Sequence, residues 1–181
     1  MLGALSDRWH DAVQTTERDE FVYHEMIAHV PLFLLKAPRR VLVVGGGDGG
    51  TVRETLKHPT VEHVDLVEID GMVVDAARRF LPSTSACLSD PRVTVRIEDG
   101  VKFMAQAGSP YDAILIDSTD PIGPAAPLFG PEFYANVKRR LADDGVVVAQ
   151  GECPFYRLDV QKALAGVVKG AFGDAALYNY H

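Results

Sequence analysis

Residues Val41–Gly50 read VLVVGGGDGG, and this stretch decides the fold. Four aliphatic residues run into five glycines and one aspartate, and a helix-like segment, TVRETLKH, follows. A buried strand that ends in a glycine-rich turn and opens a helix is typical of a nucleotide-binding α/β unit. Asp48 places a negative charge in a turn where phosphate-binding proteins keep neutral or positive groups. The turn therefore predicts a ligand that carries cationic groups and no phosphate.

The rest of the chain alternates strand-like and helix-like segments around this turn. The predicted strands are Arg40–Val44, Val61–Glu68, Val93–Ile97, Tyr111–Ile116 and, after a turn at Asp144-Gly145, Val146–Ala149, with a sixth strand beginning at Ala176–Tyr180. The predicted helices are Glu20–Leu35, Thr51–Lys57, Met72–Phe80, Gly100–Gln106, Pro131–Leu141 and Leu158–Phe172. This series predicts an α/β fold with a doubly wound, mostly parallel sheet and right-handed crossovers.

The length, charge and apolar patterns of the chain exclude several classes of protein and of binding partner. The chain has 181 residues, enough for one compact domain, and its formal net charge of −7 argues against a nucleic-acid surface. The segment MLGALSDRWHDAV lacks the pattern of a signal peptide, and no apolar run approaches the ~18 residues of a membrane span. We therefore expect a cytoplasmic protein that binds neither nucleic acid nor membrane. Cys87 and Cys153 are expected as free or buried thiols.

Acidic residues dominate the predicted strand ends, where open α/β sheets bind their ligands. Glu68 lies ~20 residues past the glycine turn, at the position of a carboxylate that holds ribose hydroxyls. Asp99, which precedes Gly100, suits either a helix cap or an acceptor for an adenine amino group, and the spacing leaves both roles open.

Asp117 and Asp120 follow the fourth predicted strand in the segment DSTDPIGP. Two carboxylates three residues apart suit the two ammonium groups of a diamine, although Asp120-Pro121 also fits simple turn chemistry. An alkyl amine has a pKa near ~10.4, so it must lose a proton before it attacks an electrophilic carbon. The pattern predicts that Asp117 orients the amine and accepts this proton, while in-line positioning supplies most of the rate.

Six segments together resemble the spermidine synthase family of polyamine aminopropyltransferases. They are VQTTERDEFVYHEM (13–26), VLVVGGGDGGTVRE (41–54), LVEID (66–70), EDG (98–100), DSTDPIGP (117–124) and QGE (150–152). The resemblance implies a sheet of the S-adenosylmethionine-methyltransferase-like, or Rossmann-like, type. It implies transfer of an aminopropyl group from decarboxylated S-adenosylmethionine to putrescine, which gives spermidine and methylthioadenosine. The donor is a co-substrate, and the resemblance implies neither a prosthetic group nor a metal.

The resemblance also implies a donor site. Its members would be Gln14, Gly45, Asp48, Glu68, Asp99, Gly100, Pro124 and Leu128. Within it, Asp48 would hold the ammonium of the aminopropyl tail, Glu68 the ribose and Asp99 the adenine. Pro124 and Leu128 would help to wall the adenine pocket.

The acceptor side of the site follows from the same resemblance. Asp117 would be the catalytic base, with Tyr23 beside it, and Asp120 would bind the distal amine of the acceptor. His24 would be a substrate-binding residue that contacts the donor or lines the channel between donor and acceptor. Taken without the family, Tyr23 fits the apolar stripe of the first helix, and His24 fits a structural histidine.

The chain departs from the family pattern at both ends, so we expect it to be truncated there. Residues 1–18 are predicted as a remnant of the family's N-terminal β-domain, and residues 19–181 as the Rossmann-like catalytic domain without its C-terminal strand. The family pattern implies a homodimer or homotetramer. Two alternatives stay open: a putrescine N-methyltransferase that uses intact S-adenosylmethionine, and a catalytically impaired homologue that acts as a regulatory or partner subunit.

Overall fold

The computed structural model of the chain describes residues 6–9, 12–118, 123–151 and 154–178. The strands are β1 (Ser6–Trp9), β2 (Ala12–Thr16), β3 (Arg40–Gly45), β4 (His63–Glu68), β5 (Val93–Ile97), β6 (Tyr111–Asp117) and β7 (Leu141–Ala149). The α-helices are α1 (Glu20–Phe33), α2 (Gly50–Leu56), α3 (Gly71–Phe80), α4 (Pro82–Ser85), α5 (Gly100–Ala105), α6 (Pro131–Arg140) and α7 (Pro154–Phe172). Two 3₁₀ segments span Ala86–Ser89 and Gly123–Phe129.

One five-stranded sheet organises the chain, in the order β5-β4-β3-β6-β7 with every neighbouring pair parallel. The strand order reverses direction at β3, since β4 and β6 lead from it to opposite edges of the sheet. Ligands bind at such a switch point, outside the carboxyl ends of the strands. β1 and β2 form a separate antiparallel pair. The predicted doubly wound, Rossmann-like fold is confirmed.

Alternate residues of β3 supply two apolar cores, one on each face of the sheet. Val41 and Val43 point to the core covered by α1, α2 and α3, whereas Leu42 and Val44 point to the core covered by α5, α6 and α7. All four side chains are at most 2% exposed. Full burial of one such side chain stabilises the fold by about 1.5–3 kcal/mol. The two layers together hold the end of β3, which carries the glycine turn.

The last strand of the sheet begins earlier than the sequence predicts. β7 starts at Leu141 rather than Val146, and its register with β6 shifts between Tyr111 and Ala113. The Asp144-Gly145 turn predicted before this strand is therefore an irregularity within it. Its residues fall between the pair that Leu141 makes with Tyr111 and the regular pairing that starts at Val146.

The C-terminal part of the described chain also differs from the prediction. Residues 174–178 form no strand, so the predicted sixth strand is wrong over Ala176–Tyr178, and Asn179 and Tyr180 lie outside the described residues. The sequence patterns also missed α4 and both 3₁₀ segments, while the other predicted boundaries differ by a few residues. Within the described ranges, no helix combines the length and apolarity needed to cross a membrane.

Candidate active site

The carboxyl ends of β3, β4 and β6 bring three acidic residues together at one edge of the sheet. Gly45, at the end of β3, lies in register with Asp117 at the end of β6. Glu68 ends β4 on the other side of β3. The turn that carries Asp48 joins β3 to α2. These carboxylates, distant in sequence, therefore surround one glycine turn.

The Asp117 carboxylate is held by a hydroxyl group on each of its oxygens. The Tyr23 hydroxyl of α1 donates to Oδ1 over 2.6 Å. The Thr51 hydroxyl, near the start of α2, donates to Oδ2 over 2.6 Å. Tyr23 also lies 3.3 Å from Gln150 Oε1, which follows β7. Two short bonds to a charged acceptor fix the plane of the carboxylate and leave lone pairs for a further donor.

Gly46 allows Asp117 to lie directly against the turn. Its φ is +66°, in the left-handed region that side chains disfavour. A Cβ at this position would lie 2.6 Å from Asp117 Oδ2. Both the backbone conformation and the carboxylate behind it therefore require glycine here.

Burial raises the pKa of the Asp117 carboxyl above its ordinary value. The charge of His24 opposes this rise, the charge of Asp48 adds to it, and the hydroxyl donors Thr51 and Tyr23 oppose it again. The net effect is upward. A carboxylate with a raised pKa accepts a proton more readily, so Asp117 is suited to act as a base.

His24 lies between two carboxylates, one at each ring nitrogen. Its Nδ1 is 2.5 Å from Glu20 Oε2, and its Nε2 is 3.4 Å from Asp48 Oδ2. The buried ring also packs closely on α2, where a Cβ on Gly50 would lie 2.2 Å from it. Burial alone lowers the pKa of His24, but the neighbouring carboxylates, Asp48 foremost, outweigh burial and raise that pKa to about 9. His24 is therefore an imidazolium at neutral pH.

Arg53 fixes Glu20 in its place beside the imidazolium. The two terminal nitrogens of Arg53 donate to the two oxygens of Glu20 over 2.9 and 3.0 Å. Its Nε donates to Glu54, on the same helix, over 2.8 Å. Bidentate pairs of this kind are geometrically specific. These contacts link α2 to α1 through a row of alternating charges, which runs from Glu54 through Arg53 and Glu20 to His24.

Glu68 is bonded to the backbone on both sides of its strand end. Its Oε2 accepts from the Gly47 N–H over 3.2 Å and its Oε1 from the Asp70 N–H over 3.0 Å. Burial raises the pKa of the Glu68 carboxyl, against the opposing effect of these backbone bonds. Beside it, Ile69 and Ile97 are each 54% exposed, and Ile97 pairs with Glu68 across the sheet. The site thus combines an acceptor for hydroxyl groups with apolar surface for a flat ring.

Asp99 caps α5, because its carboxylate accepts from the N–H of Val101 over 2.8 Å and of Lys102 over 3.4 Å. The structure therefore shows the capping role, and lone pairs remain on the carboxylate for a second donor. Leu128 lies beside the first turn of the same helix, since a Cβ on Gly100 would be 3.7 Å from Leu128 Cδ2. The 3₁₀ segment that contains Leu128 is thus placed next to α5.

Several predicted positions lie outside the described part of the chain. Asp120 is among them, as are the side chains of Gln14 and Pro124 and the thiol of Cys153. Cys87 is a free thiol. Among the side chains that the structure describes, no group of three or more His, Cys, Asp or Glu is arranged to hold a metal ion.

Three residues that contact the site were not identified from the sequence: Thr51, Glu20 and Arg53. In the sequence, Thr51 is an ordinary residue at the second position of a helix. Glu20 is an ordinary acidic residue in the first turn of a helix. The packing of α1 on α2 turns both side chains toward the strand ends. The position of Thr51 directly after the glycine turn was the one available signal.

Residues 20–180 match the family model of the spermine/spermidine synthase domain. The polyamine aminopropyltransferase of Moorella thermoacetica is 53% identical over 166 residues, which make up 92% of this chain and 59% of that protein. The polyamine aminopropyltransferase of Methanocaldococcus jannaschii is 50% identical over 158 residues, or 87% of this chain and 54% of that protein. The chain thus spans little more than half the length of these curated relatives.

Solved structures show the same likeness. A spermidine synthase in complex with the transition-state analogue AdoDATO has a TM-score of 0.88 and 45% sequence identity, and the match covers 90% of this chain and 56% of that one. The spermidine synthase from Thermotoga maritima has a TM-score of 0.83 and 43% identity, over 90% of this chain and 54% of that one. Sequence and structure agree over most of the chain, which belongs to the spermine/spermidine synthase family.

Proposed function

We propose that this chain carries the donor site and the catalytic base of a polyamine aminopropyltransferase. The reaction transfers the aminopropyl group of decarboxylated S-adenosylmethionine to putrescine, which gives spermidine and methylthioadenosine. The observation that carries the proposal is the Asp117 carboxylate, held by two hydroxyls at the same sheet edge as Asp48 and Glu68. Both substrates are cations, and this edge is rich in carboxylates. The relatives named as polyamine aminopropyltransferases support the same reaction.

The donor is proposed to lie along the glycine turn, with the backbone of Gly45 and Gly100 close to it. Glu68 accepts hydrogen bonds from the ribose hydroxyls, and Asp99 accepts one from the adenine amino group with the lone pairs that its cap leaves free. Gln14, Pro124 and Leu128 complete this pocket. The exposed faces of the isoleucines beside Glu68 suit the adenine ring.

Asp48 is proposed to hold the ammonium of the aminopropyl tail. One of its oxygens accepts from the Gly50 N–H over 2.8 Å, while the other faces His24. The His24 imidazolium thus supplies a counter-charge to Asp48. His24 lines the channel between donor and acceptor, and Asp120 is proposed to bind the distal ammonium of the acceptor.

The chemical step is a displacement at the carbon next to the sulfonium. The acceptor nitrogen forms a bond to this carbon, the carbon–sulfur bond breaks, and its electron pair remains on sulfur as a neutral thioether. The amine, with a pKa of about 10.4, must first lose a proton. Asp117 accepts this proton, and its raised pKa supports that role. The two hydroxyls hold the carboxylate where it can orient the attacking nitrogen opposite the carbon–sulfur bond.

A mass-spectrometric product assay tests the proposal. The chain is given decarboxylated or intact S-adenosylmethionine with a panel of diamines and polyamines. We expect a triamine and methylthioadenosine from the decarboxylated donor, loss of both in Asp117→Asn, and wild-type yield in Asp144→Asn, a matched change at an exposed aspartate. Normal binding of the decarboxylated donor without a triamine from any diamine would overturn the proposal. N-methylputrescine from the intact donor would establish a putrescine N-methyltransferase instead.

We further infer that residues 19–181 form the catalytic unit and that residues 1–18, which include β1 and β2, belong to an N-terminal β region. The assembly is proposed to be a cytoplasmic homodimer or homotetramer. Size-exclusion chromatography with light scattering measures its mass, and a monomer would contradict the assembly. Activity that appears only after mixing with a full-length relative would assign the chain as a partner subunit.

A further inference from the structure

The two oxygens of Asp117 have different surroundings. Oδ2 faces the glycine turn, where the Thr51 hydroxyl donates to it and where a Cβ on Gly46 would lie only 2.6 Å away. Oδ1 faces Tyr23, on the side of the site where Gln150 and the end of β7 lie. The enclosed oxygen has no room for a substrate atom on its turn side, so Oδ1 is the oxygen that an amine can approach.

Thr51 is the second residue of α2, so the carbonyl four residues earlier belongs to Gly47 of the glycine turn and not to the helix. A threonine hydroxyl further along a helix commonly donates to the carbonyl four residues earlier. Thr55, one turn later on α2, does so, because its hydroxyl donates to the Thr51 carbonyl over 2.8 Å. The Thr51 hydroxyl instead leaves its own helix and donates to β6. Both threonines are 0% exposed, which makes them a matched pair.

We propose that Thr51 is a positioning residue for the base: its hydroxyl holds Oδ2 of Asp117 against the glycine turn and so presents Oδ1 to the acceptor amine. The proposal rests on the proposed aminopropyl transfer. Thr51 is fully buried and bonded to the carboxylate, so it acts through the orientation and the protonation of Asp117.

A hydroxyl that donates to a carboxylate stabilises the ionised form. Removal of the Thr51 hydroxyl therefore raises the pKa of Asp117 further, and the carboxyl is less often ionised at a given pH. A charge-assisted hydrogen bond corresponds to a shift of the titration midpoint by about one pH unit or more. Below the midpoint the ionised fraction falls about tenfold, whereas well above the midpoint it is unchanged.

Four titratable groups in the described part of the chain surround the Asp117 carboxyl: Tyr23 and His24 of α1, Asp48 of the glycine turn and Glu68 of β4. Substitutions at Thr51 leave all four in place. A change in the titration of Asp117 that is specific to Thr51 therefore reports the missing hydroxyl.

Carboxyl ¹³C NMR on the whole chain tests the proposal without any turnover. The titration of Asp117 is compared among the wild type, Thr51→Val, Thr51→Ser and Thr55→Val. We expect an upward shift in Thr51→Val, recovery in Thr51→Ser, which keeps the hydroxyl, and no shift in Thr55→Val. If Thr51→Val shifts the titration no further than Thr55→Val, the proposal is wrong. Thr51→Ser keeps the test valid if the valine variant folds poorly, because a serine titration unlike the wild type contradicts the proposal.

Kinetics supply the second readout. In Thr51→Val we expect the acidic limb of the kcat profile to move to higher pH, with the KM for the donor unchanged. A rise in the KM for the donor with an unmoved acidic limb would overturn the positioning role. Absence of product in every variant, wild type included, would count against the proposed function, while the NMR titration would still decide the contact between Thr51 and Asp117.

Discussion

Replacement of Glu20 by glutamine should lower the pKa of His24. The groups that face the ring are Glu20 at Nδ1, Asp48 at Nε2, the charge of Asp117 and the edge of the Tyr23 ring. Glu20 contributes one charge-assisted hydrogen bond, and such a bond is worth about 1.5–3 kcal/mol. About 1.4 kcal/mol corresponds to one pKa unit, and Asp48 and Asp117 raise the pKa of His24 more than Glu20 does, so we expect this pKa to fall from about 9 to about 8.

The same proton links folding to pH. The pKa of His24 in the folded chain, about 9, lies above the 6.5 of an ordinary histidine. The charged ring therefore contributes stability that is fully present below pH 6.5 and is lost as the pH rises through 9. The difference between the two pKa values corresponds to about 3 kcal/mol of unfolding free energy, and Glu20→Gln should reduce this contribution to about 2 kcal/mol.

Ring ¹⁵N chemical shifts measure the His24 titration across the neutral and alkaline range, and urea unfolding at several pH values measures the linked stability. Glu25→Gln is the matched control, because Glu25 is an exposed glutamate on the same helix. Two results would refute the reasoning: a wild-type ring that titrates at its ordinary value, or a Glu25→Gln variant that shifts the titration as far as Glu20→Gln does.

Three further predictions concern single aspartates. Asp117→Asn should keep the affinity for methylthioadenosine, measured by calorimetry, and lower turnover by about 10²-fold or more; an equal loss of affinity would show that Asp117 is a binding residue. Asp48→Asn should weaken the binding of the decarboxylated donor about tenfold or more, but not the binding of methylthioadenosine, which lacks the ammonium. Equal losses of affinity for the two ligands would contradict the proposed contact between Asp48 and the ammonium. Asp65→Ala should lower the free energy of unfolding in urea by about 1–3 kcal/mol, because the buried Tyr111 hydroxyl loses its acceptor. The buried Asp65 carboxylate accepts from Tyr111 over 2.8 Å and from Arg96 over 3.0 Å. A fall in the free energy of unfolding of less than about 1 kcal/mol, which is typical of a surface ion pair, would contradict this prediction.

The centre of the sheet could be predicted because buried parallel strands leave unbroken apolar runs in the sequence. The runs at 41–44 and 111–116 gave both strands, and the register of β3 with β6 then sets Gly45 opposite Asp117. The irregular start of β7 could not be predicted in this way. The Asp144-Gly145 pair has ordinary turn chemistry, and only the pairing of Leu141 with Tyr111 extends the strand past it.

The acidic strand ends of the candidate site could be inferred from spacing, whereas its supports could not. Asp48, Glu68 and Asp117 each follow a recognisable strand, so topology alone places them at one edge. The contacts of Thr51 and Glu20 depend on how α1 packs against α2, which leaves no periodic signal in either helix. Asp99 shows a related limit, because a carboxylate at a helix start fits a cap and a ligand contact equally well from sequence.

The close approach of Gly46 to Asp117 links the proposed donor site to the proposed base. The space between the turn and the carboxylate is too small for a methyl group, so any movement of the turn would displace the Asp117 carboxylate. If the donor lies along this turn as proposed, its binding bears on the position of the base, and we expect the donor to bind before the acceptor. It also restricts protein engineering. A side chain added at Gly46 would displace the Asp117 carboxylate, so the exposed surface near Ile97 is the better place for a redesign.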